Sequence, residues 1–213
     1  MPRDNRMLAA LLAWALALLA LNLSAYIPGE NELLLFIRPQ VALALVAIPL
    51  ALGSKESRKT FRTFTKNTTK KIAPITIIAI GAAQLVGIST LLLYPPDTYY
   101  INILKQLAPS DAWDLMIKLA LTWVVVAPVE EIFFRGVIHT WLRQVLPSRP
   151  SAAFSSIIFA VSHLDPWRFL PTVIIGYATA VVLERTKTIM SSIVVHGLNN
   201  SAALVLALFW LYP

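Results

Sequence analysis

Residues 112–146 read AWDLMIKLALTWVVVAPVEEIFFRGVIHTWLRQVL. As one straight helix this stretch would reach roughly 50 Å, against about 30 Å of bilayer hydrocarbon. It is apolar enough for lipid, yet it carries Glu130, Glu131 and Arg135 near its middle. A charge at that depth costs about 3 kcal/mol even on insertion scales, so it marks either a structural clamp or a function. Pro128 has no amide hydrogen for the helix ladder and is the natural kink. The reading is a span down to Ala127, then a piece over Val129–Val145 that bends toward the cytoplasm. Arg143 and Arg149 mark that end.

The rest of the chain agrees with lipid as the main solvent. Hydrophobic residues make up 57% of its 213 residues and charged ones 14%, whereas an ordinary soluble domain carries about 25% charged residues. Mean hydropathy is +0.69. A single membrane domain over 1–213 is expected, with no large soluble domain beside it. Expected helices run over Met7–Tyr26, Leu33–Leu52, Ala73–Leu93, Ser151–His163, Trp167–Glu184 and Thr188–Leu211, besides the two pieces around Pro128. A short interfacial helix over Tyr100–Leu107 is added to these. The fold class is all-α, a multi-pass transmembrane bundle of about seven to eight helices kinked at Pro128. The first apolar stretch is long for a signal peptide and reads as a retained helix. No cysteine is present, which excludes disulfides, thiolate nucleophiles and cysteine-ligated zinc.

The net charge of +7 is concentrated in one place. Residues 53–71 hold Lys55, Arg58, Lys59, Arg62, Lys66, Lys70 and Lys71 against Glu56. This stretch reads as a cytoplasmic loop obeying the positive-inside rule. Anionic lipid is a partner its charge would suit; nucleic acid is not expected. The N-terminus and the 143–150 and 184–187 turns are basic as well, while the turns at 28–32 and 95–100 are acidic or neutral. Alternating helices put all the basic segments on one side. The expectation is a multi-pass protein of the cell membrane with its N-terminus in the cytoplasm.

Three separated helices carry the remaining polar oddities. Glu131 and Arg135 stand at i and i+4 and can pair along one face, whereas Glu130 points about 100° away with no partner on its own helix. His163 ends an apolar helix, four residues after Phe159. His196 lies inside the last span, with Asn200 at i+4. His139 reads as interfacial. At about 1.5 Å per residue, Glu130 lies roughly 19 Å from Arg143, His163 roughly 18 Å from Ser151 and His196 roughly 13 Å from Lys187. Similar depths suggest one site, open to the cytoplasmic side. A carboxylate with an imidazole suits activation of a water molecule, and a His–Asn pair can donate hydrogen bonds to a developing oxyanion. Amide hydrolysis needs both. Neither a G-x-S-x-G elbow nor an H-E-x-x-H zinc helix occurs.

At these residues the chain resembles the CAAX protease and bacteriocin-processing family, also called the Abi family. Its E-E-x-x-x-R motif is matched by Glu130, Glu131 and Arg135, with Gly136 following. Its F-x-x-x-H motif is matched by Phe159 and His163, and its H-x-x-x-N motif by His196 and Asn200. The ordered trio falls on separate helices, and the resemblance covers about residues 110–212. It implies a helical intramembrane glutamate endopeptidase acting near the cytoplasmic face on a membrane-embedded or lipidated peptide or protein. Glu130 would activate the water with His163, His196 and Asn200 would form the oxyanion site, and Glu131 and Arg135 would support them. No cofactor or metal is expected on this reading. Zinc held by Glu130, His163 and His196 is the alternative. Two other classes stay open: a non-catalytic membrane scaffold or immunity protein of the same fold, and a small transporter or proton relay.

Overall fold

Nine helices and no strand are found among the described residues, 4–24 and 32–211 of a computed structural model. Arg3, the turn around Glu30 and Tyr212 lie outside them. Helices α1 (Asp4–Ser24), α2 (Glu32–Gly53) and α4 (Lys66–Leu93) precede the motif-bearing part, with a one-turn helix α3 (Lys55–Arg58) between the last two. Helix α5 (Thr98–Leu107) follows. The long helix α6 then runs over residues 112–142, and α7 (Ser148–Val161), α8 (Phe169–Thr186) and α9 (Ile189–Leu211) complete the chain. Helices α1, α2, α4, α8 and α9 are each long and apolar enough to cross a membrane. Side chains such as Leu45 and Leu92, each 75% exposed, give the bundle an apolar outside. In lipid such a surface costs nothing, and helices satisfy their own backbone groups there.

The basic stretch 53–71 is not one loop, as the sequence reading had it. Ser54 caps α3 by accepting from the Ser57 amide, and Thr65 caps α4 in a reciprocal capping box with Thr68. These two caps bring helix into both ends of the segment. The link between them is anchored at its far side: Thr188 Oγ1 donates to Arg62 O at 2.6 Å, and the Ile189 amide donates to Thr60 O at 2.9 Å.

Helix α6 remains helical through Pro128. Its α-helical turns are interrupted by two wider π-helical stretches, Thr122–Val126 and Ile132–His139, on either side of the short α segment Ala127–Glu131. Wider turns of this kind absorb the ladder position that proline cannot serve, and they recur at functional sites. Two cores flank this helix. One joins Ala10, Ala13 and Ala17 of α1 and Leu43, Val46 and Ala47 of α2 to Phe133, Phe134 and Ile138 of α6 and Phe159 of α7. The other joins Ile72, Ala79 and Ala83 of α4 to Ile175, Ala178 and Val182 of α8 and Val195 of α9. The acidic stretch of α6 lies where helices from both cores meet.

Candidate active site

Close approach of backbones assembles the site. Gly176 of α8 lets that helix settle on α7: a Cβ there would stand 3.1 Å from Ser156 Cα and 3.2 Å from Arg135 Nη2. Gly197 of α9 does the same against α6, where a Cβ would stand 3.0 Å from the Trp123 ring. Trp123 Nε1 also donates to Ser201 Oγ at 3.1 Å. Small residues at helix contacts are the usual device for close packing in membranes. Here they place His196, one residue from Gly197, beside the α6 glutamates.

Glu131 and Arg135 pair as their spacing predicts, with Glu131 Oε2 3.2 Å from Arg135 Nε and both side chains fully buried. Arg135 Nη2 donates to the carbonyl of Gly176 at 2.9 Å, and its guanidinium lies 4.5 Å above the Phe159 ring. The other Glu131 oxygen, Oε1, stands 2.7 Å from His196 Nδ1. A carboxylate only accepts, so His196 donates through Nδ1 and turns Nε2 the other way. Nε2 then faces Glu130 Oε2 across 3.7 Å. Glu130 is 7% exposed; its Oε1 accepts from Gln40 Nε2 at 2.7 Å, and its Oε2 is buried without a hydrogen-bond partner.

His163 sits in the turn that ends α7, where Leu164 adopts the left-handed region at φ 50°. Its Nδ1 stands 2.9 Å from Phe159 O, and its ring meets the Phe159 ring edge-on at 4.8 Å. Phe159 also touches His196 at 5.6 Å and Phe134 at 4.9 Å. The aromatic residue of the F-x-x-x-H pattern is therefore the common wall of both histidines and of Arg135. Glu130 and His196 both lie within electrostatic range of His163. A recess of about 370 Å³ opens around the same turn, lined by Ala160, Val161, Leu164, Asp165, Pro166 and Phe169.

Glu130, Glu131, Arg135 and His196 are thus in one contact network, and His163 joins it through Phe159. Asn200 stands one turn beyond His196. Its Oδ1 accepts from Asn199 Nδ2 at 3.3 Å, and Asn199 accepts from Gln84 of α4 at 3.1 Å. His139, read from the sequence as interfacial, is instead 1% exposed. Its ring lies between Ser155 Oγ at 3.4 Å and Glu184 Oε1 at 3.1 Å. Among the described residues no three His, Cys, Asp or Glu side chains are grouped so that they could hold a metal ion.

Residues 112–202 match the sequence model of a family described as type II CAAX prenyl endopeptidase Rce1-like. The motif-bearing part of this chain is similar to that family. No curated protein and no solved structure matches it. The matched stretch contains all three motifs and runs from α6 into α9, so the family and the contact network coincide. Three of the five helices long and apolar enough to cross a membrane, α1, α2 and α4, precede the matched stretch. Gln40, which touches Glu130, lies outside the match.

Proposed function

We propose that the chain is an intramembrane endopeptidase in which Glu130 activates water for attack on a peptide bond near the cytoplasmic face. The observation that carries this reading is the Glu130 carboxylate. One oxygen is tied to Gln40; the other is buried, free of hydrogen bonds and 3.7 Å from His196 Nε2. A general base needs such an uncommitted oxygen within reach of the proton it takes. His163, whose ring meets that of Phe159 edge-on, would hold the same water. His196 would serve the oxyanion with Asn200. Glu131 holds His196 at Nδ1, which leaves Nε2 as the atom facing the reaction.

The substrate on this reading is a membrane-embedded or lipidated peptide segment, and the family's name points to a prenylated one. The N-terminus and the 53–71 segment would lie on the cytoplasmic side. Cysteines placed at Lys59 and Tyr99, both exposed, should then label from opposite sides of sealed vesicles; labelling from one side would overturn the orientation. The functional test is cleavage of matched prenylated, acylated and unmodified peptides by wild type and by Glu130→Gln in liposomes. Hydrolysis that disappears in the variant supports the reading. Saturable peptide binding without turnover in wild type would make the chain a scaffold instead.

A further inference from the structure

Helix α2 lies outside the stretch matched to the family, yet Gln40 brings a side-chain amide to 2.7 Å from Glu130 Oε1. Resting on the proposed function, we propose that Gln40 is a positioning residue that selects which oxygen of Glu130 does the chemistry. The carboxylate can only accept, so the amide presents its nitrogen, and Oε1 is committed. Oε2 is left without a hydrogen bond, 3.7 Å from His196 Nε2.

Arg135 follows five residues on along the same helix, and its Nη1 makes no hydrogen bond. An untethered Glu130 would gain by turning toward that nitrogen, because charge-assisted hydrogen bonds are about twice as strong as neutral ones. The tether from α2 holds the carboxylate away from that collapse. A neutral amide suits this task better than a cation. Lysine at position 40 would neutralise Glu130 in a closed ion pair, whereas glutamine fixes one oxygen and leaves the negative charge available. Helix α2 thereby becomes part of the site, and its packing against α6 through Leu43, Val46 and Ala47 sets the reach of Gln40.

The test uses full-length protein in liposomes, with Gln40→Met, Gln40→Glu, Glu130→Gln and the double variant Gln40→Met/Glu130→Gln. Gln40→Met keeps the side-chain volume and removes the donor. Its kcat should fall about 10- to 100-fold with KM little changed, because a misplaced catalytic group costs about that much. Glutamate at position 40 can donate only when protonated, so the activity of Gln40→Glu relative to wild type should rise as pH falls. Thermal unfolding supplies a readout independent of turnover. The double variant's loss in melting temperature should fall short of the summed single losses by about 2 °C or more, since contacting residues are not additive. Wild-type kcat in Gln40→Met, with hydrolysis still lost in Glu130→Gln, would overturn the positioning role while leaving the proposed function standing. Additive melting losses would overturn the contact itself. Hydrolysis that survives in Glu130→Gln would overturn the proposed function, with the thermal coupling still reporting whether Gln40 holds Glu130.

Discussion

Helix α6 enters two acid–histidine clusters, a buried one at its middle and one that reaches the surface through Arg143 and Lys187, and they are built to opposite rules. Toward its C-terminal end, His139 and Arg143 meet Glu184 of α8. Glu184 Oε1 takes His139 Nε2 at 3.1 Å and Arg143 Nε at 2.5 Å, and Oε2 takes Lys187 Nζ at 3.2 Å. One acid is matched by several donors, and both of its oxygens are occupied. In the middle of the helix, two acids meet one guanidinium and one imidazole, and Glu130 Oε2 and Arg135 Nη1 are buried without hydrogen bonds. A buried polar network that serves only structure is normally satisfied throughout. The central cluster keeps an unspent acceptor beside a histidine, a costly arrangement in a low dielectric unless something uses it. That difference separates a clamp from a candidate catalytic centre, although both are made of the same residue types.

The sharpest way to break the comparison is to remove one carboxylate charge from each cluster. Glu130→Gln should reduce hydrolysis by about 10²–10⁴-fold, the usual contribution of a general base, with little loss of folded protein. Glu184→Gln should do the reverse, keeping turnover and costing about 1–3 kcal/mol of stability through its charged hydrogen bonds. Steady-state kinetics and thermal unfolding on the same preparations would check both. Equal effects at the two sites would remove the distinction. One turn beyond the central cluster, Asn200→Ala should lower kcat by about 10²–10³-fold if Asn200 is an oxyanion donor. An unchanged kcat would confine Asn200 to its contact with Asn199.

The two clusters were also unequally visible in the sequence. Charges in an apolar helix stand out without any structure, and the i, i+4 spacing of Glu131 and Arg135 foretold their pairing because that contact is local. The three motifs mark Glu130, His163 and His196 as candidates for the same reason, since each pattern is local to one short stretch of helix. What escaped was tertiary. Gln40 has no spacing relation to Glu130, ninety residues away. His139 looked interfacial because its partner Glu184 comes from another helix, forty-five residues on. The caps at Ser54 and Thr65 are legible in principle, but they lie amid dense positive charge of the kind that marks a loop between spans.

Arg135 sharpens the comparison from the side of stability. Arg135→Ala would leave Glu131 with no cation beside it in a fully buried position, which costs about 3–5 kcal/mol. Accumulation of the variant in membranes and its unfolding temperature are the measurements. A loss no greater than that of Glu184→Gln would show that the central ion pair is no more buried in energetic terms than the peripheral one.

Gly176 probes the same cluster through packing. Its carbonyl receives Arg135 Nη2, and the absent Cβ leaves room for Ser156 at 3.1 Å and Arg135 at 3.2 Å. Gly176→Ala should separate α7 from α8 by a few tenths of an ångström, costing about 1–3 kcal/mol. Since α7 carries Phe159 and His163, a several-fold loss of kcat should accompany it, whereas Gly53→Ala, which meets nothing within 4 Å, should change neither. Equal behaviour of the two alanine variants would remove the packing argument.

The smallest expected effect is none, and it concerns metal. A catalytic zinc site takes three protein ligands and keeps one position open. His196 has Nδ1 committed to Glu131, Glu131 has its other oxygen on Arg135, and Glu130 has one oxygen on Gln40. His163 holds its Nδ1 against the carbonyl of Phe159. A metal would therefore have to gather Glu130 Oε2 with the Nε2 atoms of both histidines, and the described residues contain no such grouping. Strong chelators should accordingly leave the rate of hydrolysis unchanged, and elemental analysis of active protein should find no stoichiometric zinc. Activity lost to the chelator and restored by added zinc would overturn the metal-free mechanism. The contrast between the two clusters would survive that result, because the unspent oxygen of Glu130 would then be a ligand rather than a base.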